Sequence, residues 1–281
     1  MIGTLSLIIL GASLVGAIAG GAGVFALVRQ ESLLGDAISH AALPGIALMF
    51  LFTESTNPFV LIIGGGIAGC IGALFVTFVL YRTPLKRDAL LGIILSVFFG
   101  FGVVLKTVIQ KRAIAHQAIL GKFFFGNAST LLVIDVYILA ILAVFLVVAF
   151  WVLWKEFFSV SFDRHYSAVQ GYPVLLLDIL LTFLIVTAIV AGLHTVGVLL
   201  MSALLISPAA AARQWTSSLK KMFWLSVLFG AFSGGCGAFI SSLARQLPTG
   251  PLAVVVASVL VLVSLLWGSE RGILLKRAKH E

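Results

Sequence analysis

The sequence predicts an all-α polytopic membrane protein with eight or nine transmembrane helices, and three observations indicate this fold class. Of the 281 residues, 61% are hydrophobic and only 10% are charged, whereas soluble domains carry about 25% charged residues. Apolar runs of 18 residues or more recur along the chain, which is the length that a helix needs to cross a bilayer. Alternating strands typical of a membrane β-barrel do not occur in the sequence.

The candidate spans follow one another along the whole chain. They cover residues 4–28, 33–52, 58–81, 89–109, 131–154, 173–191, 193–212, 220–244 and 250–268. Basic loops separate them at 82–88 and 213–221, a long polar stretch at 154–173, and a tight turn at 245–251. We therefore expect a single membrane domain over residues 1–281.

The positive charge of the chain is explained by its position between the spans. The formal net charge is +8, but the Lys and Arg residues lie between apolar runs and in the tail, where the positive-inside rule places them. A basic face with stacking aromatic residues is absent from the sequence, which excludes a nucleic-acid partner.

The charge rule also predicts the side of each loop. With the basic tail in the cytoplasm, Arg29 and the segments 82–88, 154–173 and 213–221 all fall on the inner side. The segment 110–130 then falls outside, although it is also basic. This conflict keeps the predicted number of spans at eight or nine.

One polar pair interrupts the second apolar run, SLLGDAISHAALPGIAL at 32–48. Asp36 and His40 are four residues apart, so a helix places both on the same face. A carboxylate and an imidazole in this arrangement are half of a site for a borderline divalent metal. Ionisable groups within a membrane span are costly and usually functional.

A structural role for the same pair stays open at this point. Asp36 could cap the start of the helix or pair with Arg29, with His40 hydrogen-bonded to it. The residues that follow, Pro44 and Gly45, predict a broken or kinked helix just beyond the pair. Such breaks occur at membrane depth where a helix lines a cavity or is buried in protein.

Other polar and small residues carry weaker predictions. Asp135 and Asp178 lie near the starts of spans, where a carboxylate suits a helix N-terminus. His194 lies between two spans and could join a metal path as a gate or belong to a solvated turn. Glycine clusters at 16–23, 64–69 and 230–239 predict close helix packing, with hinges as the alternative.

The order of motifs along the chain resembles one family, the metal-type ABC-transporter permeases. SLLGDAISHAALPGIAL resembles the signature of these membrane subunits of bacterial manganese, zinc and iron importers. The resemblance continues through TPLKRDALLGIILSVFFGFGVVL (83–105), AILGKFFFGNAS (118–129), SFDRHYSAVQG (161–171), TVGVLLMSALLISPAAAA (195–212) and LPTGP (247–251). Several motifs in the correct order are more specific than any one of them alone.

The resemblance implies a type II importer fold and a set of partners. Two permease subunits, as a homodimer or with a paralogous permease, would pair with cytoplasmic ATPase subunits in the bacterial plasma membrane. An extracellular metal-binding protein would deliver manganese, iron or zinc, and no cofactor would be bound permanently. The family's proposed ligands correspond to Asp36 and His40.

A partner for ATP hydrolysis is also expected from the residues. The chain contains no G-x-x-x-x-G-K-[ST] phosphate-binding motif, so it is not expected to hydrolyse ATP alone, and the resemblance implies a transport subunit and not an enzyme. The segment 154–173 is the best candidate for coupling to an ATPase, with Asp163 and Gly171 as its predicted coupling residues. An ordinary amphipathic loop is the alternative for this segment.

Two other functional classes are weighed against the permease. An intramembrane metalloenzyme would use Asp36 and His40, but it normally needs three protein ligands and a general base, as in His-Glu-x-x-His. A carrier driven by an ion gradient would need no coupling segment. Co-purification with an ATPase would count against both alternatives.

Overall fold

The structure is a computed structural model that describes residues 2–55, 57–111, 126, 131–243 and 247–274. The basic segment between the fourth and fifth predicted spans, including most of AILGKFFFGNAS, lies outside the described residues, as does the end of the tail. The side of the membrane on which that segment lies therefore stays a prediction.

The described residues form eleven α-helices. They are α1 (Ile2–Val28), α2 (Leu34–Thr53), α3 (Pro58–Arg82), α4 (Arg87–Gln110), α5 (Val133–Val152), α6 (Trp154–Phe162), α7 (Arg164–Val169), α8 (Val174–Leu193), α9 (Val198–Trp215), α10 (Leu219–Leu243) and α11 (Thr249–Trp267).

The long helices confirm the predicted fold class. Within the described residues, eight helices have the length and composition to cross a membrane. The remaining long helix, α9, has 18 residues, occupies the predicted span 193–212 and packs against α1, α2, α10 and α11. Every predicted span thus corresponds to a long helix, whereas α6 and α7 are short helices of the polar stretch 154–173.

The helices pack as two groups that meet along α2 and α9. In one group α2 lies between α3 and α4, and in the other α1 packs along α10 beside α9 and α11. The second helix is the most enclosed of the eight candidate spans, with 78% of its apolar window buried, whereas only 17% of the window of α5 is buried. His40 is buried within this enclosed helix, whereas Asp36, in its first turn, is partly exposed.

Close glycine contacts bring α1 and α10 together. A Cβ atom on Gly16 would lie 2.0 Å from the carbonyl oxygen of Gly230, and a Cβ on Gly230 would lie equally close to the oxygen of Gly16. One turn away, Ser226 Oγ donates a hydrogen bond of 2.6 Å to the Gly20 carbonyl. These glycines serve the helix packing that their spacing predicts.

The predicted break in α2 does not occur, and the alternative, a kink at Pro44, stays a prediction. The helix continues from Leu34 through Pro44 to Thr53. A Cβ on Gly45 would lie 2.1 Å from the Gly64 carbonyl oxygen of α3, so glycine is required here for close packing. Pro44 still removes the N–H that would bond to the His40 carbonyl, but packing against neighbouring helices keeps α2 helical, as membrane helices with proline allow.

Candidate functional site

Asp36 and His40 lie on one face of α2, as their spacing predicts. His40 Nε2 is 3.8 Å from Asp36 Oδ1, which exceeds the 2.7–3.2 Å typical of a hydrogen bond. The His40 residue is only 8% exposed, whereas the Asp36 side chain is 38% exposed. A buried imidazole therefore faces a carboxylate that reaches the surface of the subunit.

The surroundings of His40 hold the ring in place without satisfying its polar atoms. Phe99 of α4 contacts it edge to face, with ring centroids 4.8 Å apart. One turn along both helices, a Cβ on Gly102 would lie 3.2 Å from Pro44 Cδ, so α4 packs closely on this part of α2. His40 Nδ1 is buried and has no hydrogen-bond partner among the described residues, an arrangement that ordinary core histidines avoid.

The structural alternatives for Asp36 do not match the contacts. No side chain caps the N-terminus of α2. Arg29 pairs with Glu31 and Asp178, and the ion pairs of the described residues include none between Arg29 and Asp36. The carboxylate of Asp36 therefore neither caps the helix nor neutralises Arg29.

The separation of the pair is close to what a shared metal ion would require. Imidazole nitrogen and carboxylate oxygen lie about 2.1 Å from a bound transition metal, so at the tetrahedral angle the two atoms are about 3.4 Å apart. The observed 3.8 Å is slightly longer, a difference that a small side-chain rotation removes. The residues that the structure describes contain no group of three or more His, Cys, Asp or Glu side chains around one point, so the pair would supply two ligands only.

Asp163 and Gly171 define the two ends of α7 in the segment 154–173. The Asp163 carboxylate accepts a hydrogen bond of 2.9 Å from the Tyr166 N–H and caps the helix. Gly171 has φ +85°, and the N–H groups of Gly171 and Tyr172 donate to the carbonyls of Ala168 and Ser167, which is the Schellman C-terminal motif. Both predicted coupling residues thus shape the short helix itself.

His194 lies at the end of α8. It is the C-cap residue of α8 and lines an apolar cavity of about 560 Å³, together with Asp135 and side chains of α3 and α5. Asp178, near the other end of the same helix, is 16 residues away, which corresponds to about 24 Å along the helix. A gating role for His194 stays a prediction.

A buried group of charges, which we call the ion-pair cluster, was missed by sequence reasoning. It consists of Arg29, Glu31, Arg87, Arg164 and Asp178. Arg164 Nη2 lies 2.8 Å from Asp178 Oδ2, and Arg29 Nη2 lies 3.1 Å from Asp178 Oδ1. Glu31 pairs with both Arg29 and Arg87.

The cluster corrects the prediction for Asp178. Asp135 does accept a hydrogen bond at the start of its helix, from the Leu132 N–H at 2.8 Å. Asp178 does not cap α8, because Pro173 is the N-cap residue there. The Asp178 side chain is instead buried among guanidinium groups, at 1% exposure. Burial lowers the pKa of Arg29, while the Asp178 carboxylate opposes that shift. The only sign of this cluster in the sequence is a set of single charged residues at the ends of spans. Their partners could not be paired from the sequence, because they are far apart along the chain.

The loops predicted to share the inner side of the membrane lie together at one end of the molecule. The ion-pair cluster joins residues from the loop after α1, the loop 82–88 and the segment 154–173. Trp154 packs against the apolar cluster that contains Leu219. The Gln214 carbonyl accepts hydrogen bonds from the N–H groups of Glu270 and Arg271, so the start of the tail is at this end too.

Comparison with known proteins assigns the fold to a family. The model of the ABC 3 transport family matches residues 1–268. The chain belongs to the ABC 3 transport family. Membership, together with the eight apolar helices, makes it a multi-pass protein of the bacterial plasma membrane.

Two proteins named for metal transport are similar to this chain over most of its length. The zinc transport system membrane protein TroC of Treponema pallidum is 43% identical over 271 residues, which cover 96% of this chain and 91% of that protein. The manganese transport system membrane protein MntC of Bacillus subtilis is 40% identical over 270 residues, covering 96% of this chain and 62% of the longer relative.

A solved structure of the same family has a similar fold. PsaBC from Streptococcus pneumoniae, in complex with Fab, aligns with a TM-score of 0.83 and 31% identity, covering 98% of this chain and 95% of that one. The described helices therefore have the arrangement of an ABC-importer permease, as the motif order predicts.

Proposed function

We propose that this chain is the permease subunit of an ATP-driven importer that carries manganese, zinc or iron into the cytoplasm. The observation that carries the proposal is the Asp36–His40 pair, whose 3.8 Å separation one metal ion can bridge. Family membership and the similarity to the zinc transport protein TroC and the manganese transport protein MntC support the same substrate class.

The chemistry of the pair suits a transition metal in transit. An ion that enters a helical path loses much of its water, and the ligands must offset that loss. The Asp36 carboxylate supplies charge, and the His40 imidazole supplies a borderline nitrogen that calcium and magnesium do not prefer. A site with two protein ligands binds weakly enough to release the ion, since a closed set of four would retain it.

A second permease subunit is proposed to complete the site. Divalent transition metals take four to six ligands, and one chain offers two. The Asp36 side chain is 38% exposed, so a partner subunit related by a two-fold axis can approach it. Either a second copy of this chain or a paralogous permease would then contribute the remaining ligands, with water.

The other partners follow from the mode of energy supply. ATP would be hydrolysed by separate cytoplasmic subunits, and an extracellular metal-binding protein would deliver the ion. We assign contact with the ATPase to the segment 154–173, where α6 and α7 lie at the same end of the molecule as the other basic loops. His194, at the opposite end of α8, is proposed as part of a gate.

The test is metal uptake by bacteria that lack their own manganese and zinc importers and express this permease with its ATPase and binding protein. Asp36→Asn removes the charge and keeps the size, and His40→Ala removes the nitrogen. We expect each to lower uptake of labelled Mn²⁺ and Zn²⁺ by more than about tenfold, because losing even an outer partner of a ligand costs 10- to 100-fold.

A matched control is Asp88→Asn, because Asp88 is exposed in the first turn of α4. This variant should transport like the wild type. Wild-type uptake in both Asp36→Asn and His40→Ala, at equal protein levels, would contradict the assignment of the pair.

A further inference from the structure

The ion-pair cluster joins four parts of the chain that are remote in sequence. Arg29 and Glu31 belong to the loop before α2, and Arg87 is the first residue of α4. Arg164 is the first residue of α7, and Asp178 lies in α8. Arg29, Glu31 and Asp178 have side chains at most 5% exposed, whereas that of Arg164 is 36% exposed.

One side of the cluster faces the proposed coupling segment. Arg164 directly follows Asp163, the residue that caps α7, and its guanidinium lies 2.8 Å from Asp178 Oδ2. Among the described residues, this ion pair is the one that joins α7 to α8. A displacement of α7 by an ATPase would therefore act first on the Arg164–Asp178 contact.

The other side of the cluster contacts the starts of the two helices that position the proposed metal ligands. The Glu31 carbonyl accepts the N–H of Leu34 at 3.0 Å, at the start of the helix that carries Asp36 and His40. Arg87 starts α4, the helix that places Phe99 against the His40 ring. Thus α4 begins at a residue of the cluster, and α2, which carries the pair, begins three residues after Glu31.

The distances around Asp178 allow its partners to exchange. Oδ2 is 2.8 Å from Arg164 and 3.9 Å from Arg87, and it also accepts a hydrogen bond of 3.3 Å from the Tyr81 hydroxyl. Without Arg164, Asp178 would keep Arg29 at Oδ1, 3.1 Å away, but Oδ2 would lose its nearest cation, and a buried charge that loses a partner is destabilised. When Arg164 withdraws, Arg87 can close on the same oxygen and move the start of α4.

We propose that Asp178 links the α6–α7 segment to the Asp36–His40 pair by exchanging Arg164 for Arg87 during transport. Arg164 and Arg87 are thus positioning residues that act on the metal ligands through α4 and α2. This inference rests on the proposed permease function and adds the internal route by which ATP-driven movement reaches the ligands.

A purely structural cluster makes a different prediction from a coupling cluster. If the ion pairs only hold the helices together, a weakened pair lowers the amount of folded transporter, and ATP hydrolysis and metal uptake fall together. If the pairs transmit movement, hydrolysis continues and uptake falls. The ratio of ATP hydrolysed to metal transported separates the two.

The experiment uses the complete transporter, with its ATPase and binding protein, in liposomes that receive Mn²⁺ as the probe. Arg164→Gln is expected to raise the ATP-to-Mn²⁺ ratio at least about fivefold, the lower range of coupling between distant sites. Arg164→Lys keeps the charge and should stay close to the wild-type ratio. Arg82→Gln is the control, since Arg82 is exposed at the same end and contacts Phe78 outside the cluster.

An unchanged ratio of ATP hydrolysed to Mn²⁺ transported in Arg164→Gln would overturn the proposal. This holds whether hydrolysis and uptake fall together or neither of them falls. An equal rise in the ratio for Arg82→Gln would also overturn it, because any lost charge would then suffice. If the proposed permease function itself were wrong, a different quantity would show it. ATP-dependent Mn²⁺ uptake would then be absent from the wild type and from every variant.

Discussion

The contact between α1 and α10 gives a sharp prediction for Gly230→Ala. The added methyl group would lie 2.0 Å from the Gly16 carbonyl oxygen, whereas non-bonded atoms settle at about 3.5 Å. The backbone oxygen cannot turn away alone, so the two helices must separate by about 1.5 Å at this point. Separation also weakens the 2.6 Å hydrogen bond from Ser226 to Gly20.

The opposing free energies can be compared. Overpacking costs about 1–3 kcal/mol, and the weakened interhelical hydrogen bond adds about 0.6 kcal/mol. Replacing glycine by alanine inside a helix returns at most about 1 kcal/mol. The net effect should be a destabilisation of about 0.6–2.6 kcal/mol, because the packing cost and the weakened hydrogen bond together exceed the gain in helix propensity.

Thermal unfolding of the purified transporter in detergent measures this effect. Gly230→Ala should unfold several degrees below the wild type. Gly100→Ala is the matched control, because a Cβ there meets no atom within 4 Å, and it should unfold at or above the wild-type temperature. If Gly230→Ala were as stable as Gly100→Ala, the close approach of α1 and α10 would be refuted.

Two further predictions concern the ends of α7. Asp163→Ala should destabilise α7 by about 1 kcal/mol through the lost cap and expose the segment 164–170 to protease. Asp163→Asn keeps an accepting oxygen and should protect the segment. Equal cleavage of the two variants would contradict the capping role. Gly171→Ala should destabilise α7 by about 1 kcal/mol, because a Cβ is unfavourable at positive φ although the space around it is open. Proteolysis unchanged from the wild type would show that the turn tolerates a side chain.

Most of the fold follows from the length and composition of the apolar segments. Spans read from the sequence, such as 4–28 and 58–81, match α1 and α3 within a few residues, because a bilayer requires long helices with satisfied backbone groups. Of the break or kink expected at Pro44, the break does not occur, because local rules take no account of the partner helix. Gly45 meets Gly64 of α3, and that packing keeps α2 continuous.

The candidate site was predictable in part. Helical spacing alone places Asp36 beside His40, since four residues are about one turn. The orphaned Nδ1 of His40 and its contact with Phe99 depend on where α4 packs, which no spacing in α2 encodes. The ion-pair cluster was missed for the same reason: Arg29, Arg164 and Asp178 are near neighbours only after the spans have assembled.

The central claim is that His40 and Asp36 bind the metal during transport, and pulsed electron paramagnetic resonance of bound Mn²⁺ tests it most directly. Mn²⁺ bound to the purified permease complex should show the nitrogen coupling of a directly bound imidazole. That coupling should disappear in His40→Ala and remain unchanged in the Asp88→Asn control. Nitrogen coupling that persists in His40→Ala, or bound Mn²⁺ without such coupling in the wild type, would contradict the claim.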